Sequence, residues 1–410
     1  MKRTFIPMFI AAALLAACLA GCGQQAKVEV TETPAPQETA APTEAPAATD
    51  AAETEAPEEL DPEEAARAAR YQAAYEKYDP DMAVMLVNGT TITWSEYYSW
   101  IYDIASQMET GYGVTDWNAP DEQLTDVVPD RTFGSYVRKT ALGYAVQIAV
   151  IQQKAKELGV ELSDDQRTEL QDLLDGYAEY FGGQDKMEAM LRDNFITMDY
   201  FTRQNEAMML INNIYAELYG AKGEKLPEED ALAYLQDSGF LYAKHILFKT
   251  VDDSRQPLPD DQIAEKRAEA EAVLAELQAC TPEELETRFD SLMQQYSEDT
   301  GMLRYPDGYY FQSGKMVAPF EAAAREYAGT GLVPELVESD YGFHIMLCAP
   351  MKGDHLMEYD SNGEGYTPKA IASATLFDNV AKDWYMEAEK NVMYTPGFEA
   401  LDLNELFGVS

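Results

Sequence analysis

Two short apolar segments constrain the fold of this chain more than any other feature. Leu241–Lys249 reads LYAKHILFK and Gly342–Cys348 reads GFHIMLC, and each has the apolar and β-branched content of a central strand. Each also holds one of the three histidines in the 410 residues. The long connection between the two segments reads as mainly helical, which predicts a small α/β domain with a four-stranded mixed sheet and surrounding helices.

The chain before residue 240 has a different pattern. A short apolar strand, an Asn88-Gly89 turn and a second strand ending at Thr93 come first, which predicts a hairpin. Thr93 and Glu96 have the spacing of a capping box, so a helix should begin there. Helical segments then follow one another as far as Gly239, and the fold class predicted for the whole chain is α+β with a mainly helical N-terminal part.

Methionine and tyrosine are frequent on these helices. Met208, Ile211, Ile214 and Leu218 form one stripe at three- and four-residue spacing. Such stripes are typical of a helix face that packs in a core. They are also compatible with an adaptable surface that holds unfolded chains. The sequence leaves both interpretations open.

The N-terminus is typical of an export signal. Two basic residues precede an apolar run from about Phe5 to Leu19, followed by small residues. Leu19-Ala20-Gly21-Cys22 is similar to the lipobox of bacterial lipoproteins, which implies lipidation of Cys22 after removal of residues 1–21. Cys18 ends a second match and is the alternative site, and an ordinary secretory signal is the other interpretation. We therefore expect a protein held by lipid at the outer face of the bacterial cytoplasmic membrane.

Residues 22–78 are dominated by Ala, Pro, Thr and Glu, and this composition predicts a disordered tether. A helix beginning within Asp61–Tyr78 is the alternative for its last part. The formal net charge of −43 argues against nucleic acid as a partner and against direct adsorption to anionic lipid. Basic or unfolded chains are the expected partners.

The remaining cysteines and the third histidine carry weaker signals. Cys280 and Cys348 could form a disulfide outside the cell or stay as free thiols, because sequence spacing does not test the geometry. His355 lies in a charged stretch and is predicted at the surface. Two strand histidines without a third ligand are too few for zinc, so we expect no metal and no other cofactor.

Four motifs between residues 241 and 348 occur in the order and spacing of a known enzyme family. They are AKHIL, FDSLMQQYSEDT, GYYFQSGKMVAPF and YGFHIM. This region resembles the parvulin family of peptidyl-prolyl isomerases. With its export signal and its helical flanks, the chain is also similar to the PrsA-type extracytoplasmic foldases of Gram-positive bacteria and, more distantly, to SurA. The resemblance implies residues 1–21 as signal peptide, 22–78 as tether, 79–239 as helical foldase domain, 240–350 as isomerase domain, and 351–410 as a helical segment packing with the N-terminal domain.

The resemblance also implies a catalytic group. His245 and His344 would be paired imidazoles on adjacent central strands, and Asp299 would be the acidic side chain that faces the substrate amide. Ser339 falls where family members often place a hydroxyl linked to the histidine pair, although it also fits a turn residue. None of these roles requires a covalent intermediate.

A proline pocket completes the implied site. Met316 and Phe320 match its apolar walls, and Leu247 lies near it. The family's glycine-rich turn is replaced here by Gly301–Gly308, which alters the rim. The expected activity is isomerisation of X-Pro bonds in unfolded or partly folded secreted polypeptides. The alternative is a holdase that keeps the fold without catalysis, and a homodimer stays open.

Overall fold

The computed structural model describes most of the chain after the export signal. The predicted lipidation site, Cys22, and its alternative, Cys18, lie outside the described residues. Two compact units make up the described chain: the first contains the residues up to Asn213 and from Val380 onward, and the second runs from Ile214 to Asn379. The described ranges are 61–124, 127–303, 305, 307–359 and 363–409.

Helices dominate the described chain. No helix in it combines the length and apolarity needed to cross a bilayer. The α-helices are α1 Pro62–Tyr75, α2 Trp94–Tyr112, α3 Phe133–Leu158, α4 Asp164–Tyr180, α5 Gln184–Asp193, α6 Met198–Tyr219, α7 Glu228–Asp237, α8 Asp260–Gln278, α9 Pro282–Tyr296, α10 Ala318–Glu326, α11 Pro368–Lys390 and α12 Leu403–Phe407. Short 3-10 helices span Glu122–Leu124 and Thr300–Leu303.

The strands are short and fall into three sheets. They are β1 Ala83–Val87, β2 Thr90–Thr93, β3 Leu241–Lys249, β4 Tyr309–Phe311, β5 Gly331–Leu332, β6 Val337–Ser339, β7 Gly342–Cys348, β8 Glu358–Tyr359, β9 Gly365–Tyr366 and β10 Met393–Tyr394.

The predicted hairpin follows α1 in the first unit. Asn88 and Gly89 both have positive φ, 50° and 87°, which matches the twist of a two-residue turn between β1 and β2. The Thr93 amide donates to Glu96 Oε2 over 3.0 Å, and the Thr93 hydroxyl accepts from the Glu96 amide over 3.4 Å. This capping box starts α2 where the sequence predicted it.

The C-terminal segment completes the core of the first unit. β10 pairs with β1, so that Met85 lies opposite Tyr394. Phe398 is 5% exposed and packs against Trp94, with 5.7 Å between ring centroids, and against Tyr78, with 5.0 Å. Packing of the last residues with the N-terminal domain therefore holds from Val380 onward, whereas residues 351–379 belong to the second unit.

The prediction of a tether as far as Tyr78 is wrong from Asp61 onward, and the alternative, a helix beginning within Asp61–Tyr78, is confirmed. The Asp61 carboxylate accepts the Glu63 amide over 2.9 Å and caps α1. Tyr71 is 1% exposed and donates its hydroxyl to Glu109 Oε2 over 2.8 Å.

The second unit contains a sheet in the order β4-β3-β7-β5, with β6 also paired to β7. Every strand pair in it is antiparallel, so the prediction of a four-stranded mixed sheet is wrong. A long helical connection permits either strand direction, and here it returns the chain antiparallel. The strands β5 and β6 are separated by a segment that contains Pro334, which has no N–H for the ladder.

Both faces of this sheet are covered. One face packs on α8 and α9, and the other packs on α10. The first core includes Ile246, Phe248, Val273, Leu277, Phe289, Leu292, Phe343, Ile345 and Leu347. The second includes Leu241, Ala243, Phe311, Phe320, Ala324, Val333, Val337, Met346 and Cys348.

The third histidine is not at the surface, and that prediction is wrong. His355 is 9% exposed, its Nδ1 lies 2.9 Å from the Tyr310 hydroxyl, and its ring lies 5.2 Å from that of Tyr242. The charged neighbours in the sequence gave no sign that the chain folds back onto these two tyrosines. Cys280 and Cys348 are both free thiols, and Cys348 is buried.

Phe398→Ala should destabilise the first unit by about 3–5 kcal/mol, because it removes a buried ring from the core formed with Trp94. Met393→Ala is the matched control, since Met393 is 59% exposed and its loss should cost little. Urea denaturation followed by tryptophan fluorescence measures both, because all four tryptophans lie in the first unit. Equal midpoints for the two variants would contradict this assignment of the core.

Candidate active site

The pairing of β3 with β7 brings the two strand histidines together. Leu247 lies opposite His344 and His245 lies opposite Met346, so the two imidazoles are diagonal neighbours on one face of the sheet. Their Nδ1 atoms are 3.0 Å apart, and each residue is 4% exposed. The structure thus forms the histidine pair that the resemblance implied.

The chain after α9 positions Asp299. The Glu298 amide donates to the carbonyl of Leu247 over 2.9 Å, and Glu298 Oε2 accepts the Lys249 amide over 2.8 Å and Lys266 Nζ over 2.9 Å. These contacts hold the segment against the edge of β3. The Asp299 Oδ2 atom then lies 2.7 Å from His245 Nε2.

Ser339 serves both of the roles that its sequence position suggested. Its hydroxyl oxygen lies 2.7 Å from His344 Nε2, and it accepts the Tyr341 amide over 3.2 Å in the turn between β6 and β7. β6 pairs with β7 and sets Val337 opposite His344, which leaves Ser339 within reach of the ring. The pairing of β6 with β7 therefore gives His344 Nε2 a hydrogen-bond partner at the end of the pair that lies away from Asp299.

These contacts form one directed chain of hydrogen bonds. In the arrangement with both imidazoles neutral, His245 donates from Nε2 to an ionised Asp299, which only accepts, and its Nδ1 accepts. The proton between the rings then belongs to His344 Nδ1, and His344 Nε2 accepts the Ser339 hydroxyl. Each of the four ring nitrogens then has one partner, and the two rings are opposite tautomers.

The surroundings favour these protonation states. Burial opposes the charge on Asp299, but hydrogen bonds from His245 and Tyr309, together with the Gly301 amide, outweigh it and hold the pKa of Asp299 well below its usual range. Burial, together with repulsion from His245, lowers the pKa of His344 from 6.5 to about 3. A neutral His344 beside an ionised Asp299 is the consequence over the physiological range.

Aromatic and apolar side chains flank the histidine pair. Phe320 of α10 is 3% exposed and meets both rings edge-on, at centroid distances of 5.2 Å to His245 and 5.6 Å to His344. Met316 is partly buried against the apolar cluster that includes Phe320 and Met346. Leu247 is buried two residues beyond His245 on the same strand face. In the described part of the chain, no three His, Cys, Asp or Glu side chains are grouped as metal ligands.

Sequence reasoning missed three contributors to this site. Glu298 anchors the segment that carries Asp299, and Gly301 donates its amide to Asp299 Oδ1 over 2.9 Å. Tyr309 donates its hydroxyl to Asp299 Oδ2 over 2.5 Å. Glu298 and Gly301 both lie in the run SEDTG, but the contacts of Glu298 with β3 have no local sequence signal. Tyr309 gave no signal beyond its place in the motif GYYFQSGKMVAPF.

Comparison with known proteins finds a family model that matches part of the second unit. Residues 245–349 match the family model described as Rotamase, the PPIC-type PPIASE domain. No curated protein matches the chain. The match begins within β3, ends just after β7 and includes all four residues of the hydrogen-bonded chain, and it confirms the resemblance drawn from the motifs.

Several solved structures are similar to the chain at low identity. PrsA from Bacillus subtilis is 17% identical, with 81% of this chain and 100% of that chain covered and a TM-score of 0.24. PrsA from Bacillus anthracis is 20% identical, covering 61% and 96%, with a TM-score of 0.21. The SurA-like chaperones PEB4 and Cj1289 of Campylobacter jejuni give 16% identity, 76% and 94% coverage, and a TM-score of 0.21.

The depressed pKa of His344 makes stability depend on pH. The unfolded chain takes up a proton near pH 6.5 that the folded site refuses until about pH 3, so this stabilising contribution is present above 6.5 and is lost as pH falls through that window. His344→Gln should lower stability at pH 7 yet flatten the loss between pH 7 and pH 5, by up to about 1.4 kcal/mol per pH unit. Urea denaturation followed by circular dichroism measures it, and an unchanged slope would contradict the assignment.

Proposed function

We propose, from the premise that residues 245–349 form a PPIC-type PPIase domain, that this protein catalyses cis-trans isomerisation of X-Pro peptide bonds. The observation that carries the proposal is the hydrogen-bonded chain from Asp299 through His245 and His344 to Ser339, which lies beside the buried ring of Phe320. Its substrates are unfolded or partly folded secreted polypeptides.

The reaction needs no bond to break. Rotation about an X-Pro amide crosses a barrier of ~18–20 kcal/mol because it breaks amide resonance. The twisted amide has a more basic proline nitrogen and a carbonyl that no longer shares its π density. Catalysis therefore requires a site that binds the twisted amide better than the planar one.

The side chains divide this task by chemistry. Phe320 and Met316 offer apolar contact to a proline ring, with Leu247 beside them. Asp299 is a fixed negative charge, 18% exposed at its side chain, and it faces the position of the rotating amide. The histidine pair and Ser339 are positioning residues, since they orient Asp299 through a chain in which every nitrogen is bonded.

A holdase without catalysis is the second candidate. The altered turn over Gly301–Gly308 is the observation that favours it, because this turn forms the rim of the site. Such a protein would bind unfolded chains and leave X-Pro exchange unaccelerated. The activity assay below separates the two functions.

The location of the protein is part of the proposal. Lipidation at Cys22 would hold it at the outer face of the cytoplasmic membrane of a Gram-positive type envelope, where secreted chains emerge unfolded. The net charge of −43 supports a partner that is basic or unfolded rather than nucleic acid. A homodimer is compatible with this role.

Asp299→Asn should reduce isomerisation of X-Pro peptides by about tenfold or more, because it removes the fixed charge and reverses one hydrogen bond. A protease-coupled assay on the purified protein measures the rate constant. Asp253→Asn is the matched control, since Asp253 is exposed on the loop after β3 and should leave the rate unchanged.

The outcome decides between the two functions. A folded parent protein with no acceleration above the spontaneous rate would replace the isomerase with the holdase. Equal rates for Asp299→Asn and the parent would place the active group elsewhere in the domain.

Cys22→Ala should release the protein from the membrane fraction into the medium, because it removes the only thiol at the end of the stronger lipobox match. Fractionation of the producing cells with a lipid label measures this. Cys18→Ala is the control and should retain both label and membrane. Loss of label in Cys18→Ala alone would move the anchor to Cys18.

A further inference from the structure

Tyr309 shares the strand face of the site. It begins β4 and lies opposite Ala243, two residues before His245 on the neighbouring strand. Side chains at Ala243 and His245 point to the same face of the sheet, so Tyr309 does as well. The small methyl group of Ala243 leaves room for a phenol ring that extends towards His245.

The hydroxyl of Tyr309 ends on the acid of the site. It donates to Asp299 Oδ2 over 2.5 Å, and His245 Nε2 lies 2.7 Å from that same oxygen. The Tyr309 ring lies 5.5 Å from the His245 ring and 4.8 Å from that of Tyr305, between centroids. One carboxylate oxygen therefore has two donors from two different strands.

Gly301 leaves space for the hydrogen bond between Tyr309 and Asp299, because it has no side chain. A Cβ atom at Gly301 would overlap the Tyr309 hydroxyl and would lie 3.1 Å from Asp299 Oδ1. The Gly301 amide instead donates to Oδ1 over 2.9 Å. Gly301 thus permits the close approach of both groups, which sets this contact apart from a chance meeting of surface side chains.

We propose that Tyr309 is a positioning residue whose hydroxyl shares Asp299 Oδ2 with His245 and so limits how strongly Asp299 attracts the proton of the histidine pair. A carboxylate oxygen with two donors spreads its charge over both bonds. When the hydroxyl is removed, His245 is the remaining donor to Oδ2 among the described residues. Asp299 then becomes a stronger base, and the histidine pair gains a proton more easily.

Among the described residues, the titratable groups that face Asp299 come from three strands and one turn. They are His245 from β3, His344 from β7, Tyr309 from β4, and Tyr305, which reaches Asp299 through Tyr309. Burial and then the bond to Asp299 raise the pKa of Tyr309 far above its usual range, so its hydroxyl remains a donor at any working pH. The direction of this hydrogen bond is therefore fixed.

Tyr309→Phe tests the proposal, since it keeps the ring and removes only the hydroxyl. The histidine pair should take up its proton at a pH about half a unit to one unit higher than in the parent. Long-range ¹H–¹⁵N spectra of histidine-labelled protein measure this for each ring nitrogen across a pH titration. Assignment is direct, because the chain contains only three histidines.

Tyr310→Phe is the matched control on the adjacent position of the same strand. The Tyr310 hydroxyl contacts the carbonyl of Lys352 and the ring of His355, so this variant should move the His355 signals and leave His245 and His344 unchanged. An unchanged titration of His245 and His344 in Tyr309→Phe would overturn the proposal. Equal shifts of these two rings in both tyrosine variants would also overturn it, since they would mark a general loosening of β4.

The rate of isomerisation gives a second readout, which rests on the proposed function. Tyr309→Phe should reduce kcat/KM by about three- to tenfold at pH 7, because Asp299 loses part of its fixed orientation. Absence of activity in the parent would remove the proposed function and leave the histidine titration to decide the role of Tyr309. A titration shift without activity would support the positioning of Asp299 in a protein that is not an isomerase.

Discussion

The hydrogen bond between the two Nδ1 atoms of His245 and His344 is the constraint on which the site depends. A bond between two identical ring nitrogens needs one donor and one acceptor, so it cannot form between two imidazolium rings or between two rings of the same tautomer. Its 3.0 Å length requires that β3 and β7 pair in one register, because a slip by one residue would turn one ring to the other face of the sheet. The strand register thus sets the tautomers, and the tautomers set the direction of the chain that ends at Asp299.

A buried polar chain of this kind is stable only when every member is satisfied. An unpaired polar atom in an apolar core costs a few kcal/mol, and the histidine rings lie between Phe320 and a closely packed sheet. The opposite face of β3 shows the same rule, since the buried ammonium of Lys244 lies 2.8 Å from Asp290 of α9. The sheet therefore carries ionisable groups on both faces, and each is bonded at short range.

The sequence predicted the parts of this protein that depend on local pattern. The Asn88-Gly89 hairpin, the Thr93 capping box and the two histidine strands each have a signal within a few residues. His245, Asp299, His344, Ser339 and Phe320 followed from spacing shared with a family. The sequence did not predict the strand directions, the burial of His355 or the contact of Tyr309 with Asp299. All three depend on where a long connection returns to the fold.

The turn over Gly301–Gly308 differs from the glycine-rich turn of the family that this region resembles, and its Gly301 contacts the acid of the site. Isomerisation breaks no bond, so the rate depends on how well a fixed charge and a fixed pocket match an amide that is twisted for a short time. A mobile Asp299 would adapt equally to planar and twisted amides and would lose that preference. Gly301 holds Oδ1 of this carboxylate, and Tyr309 and His245 hold Oδ2. A site with an altered turn can therefore keep its acid in place through one contact from the turn and two from the neighbouring strands.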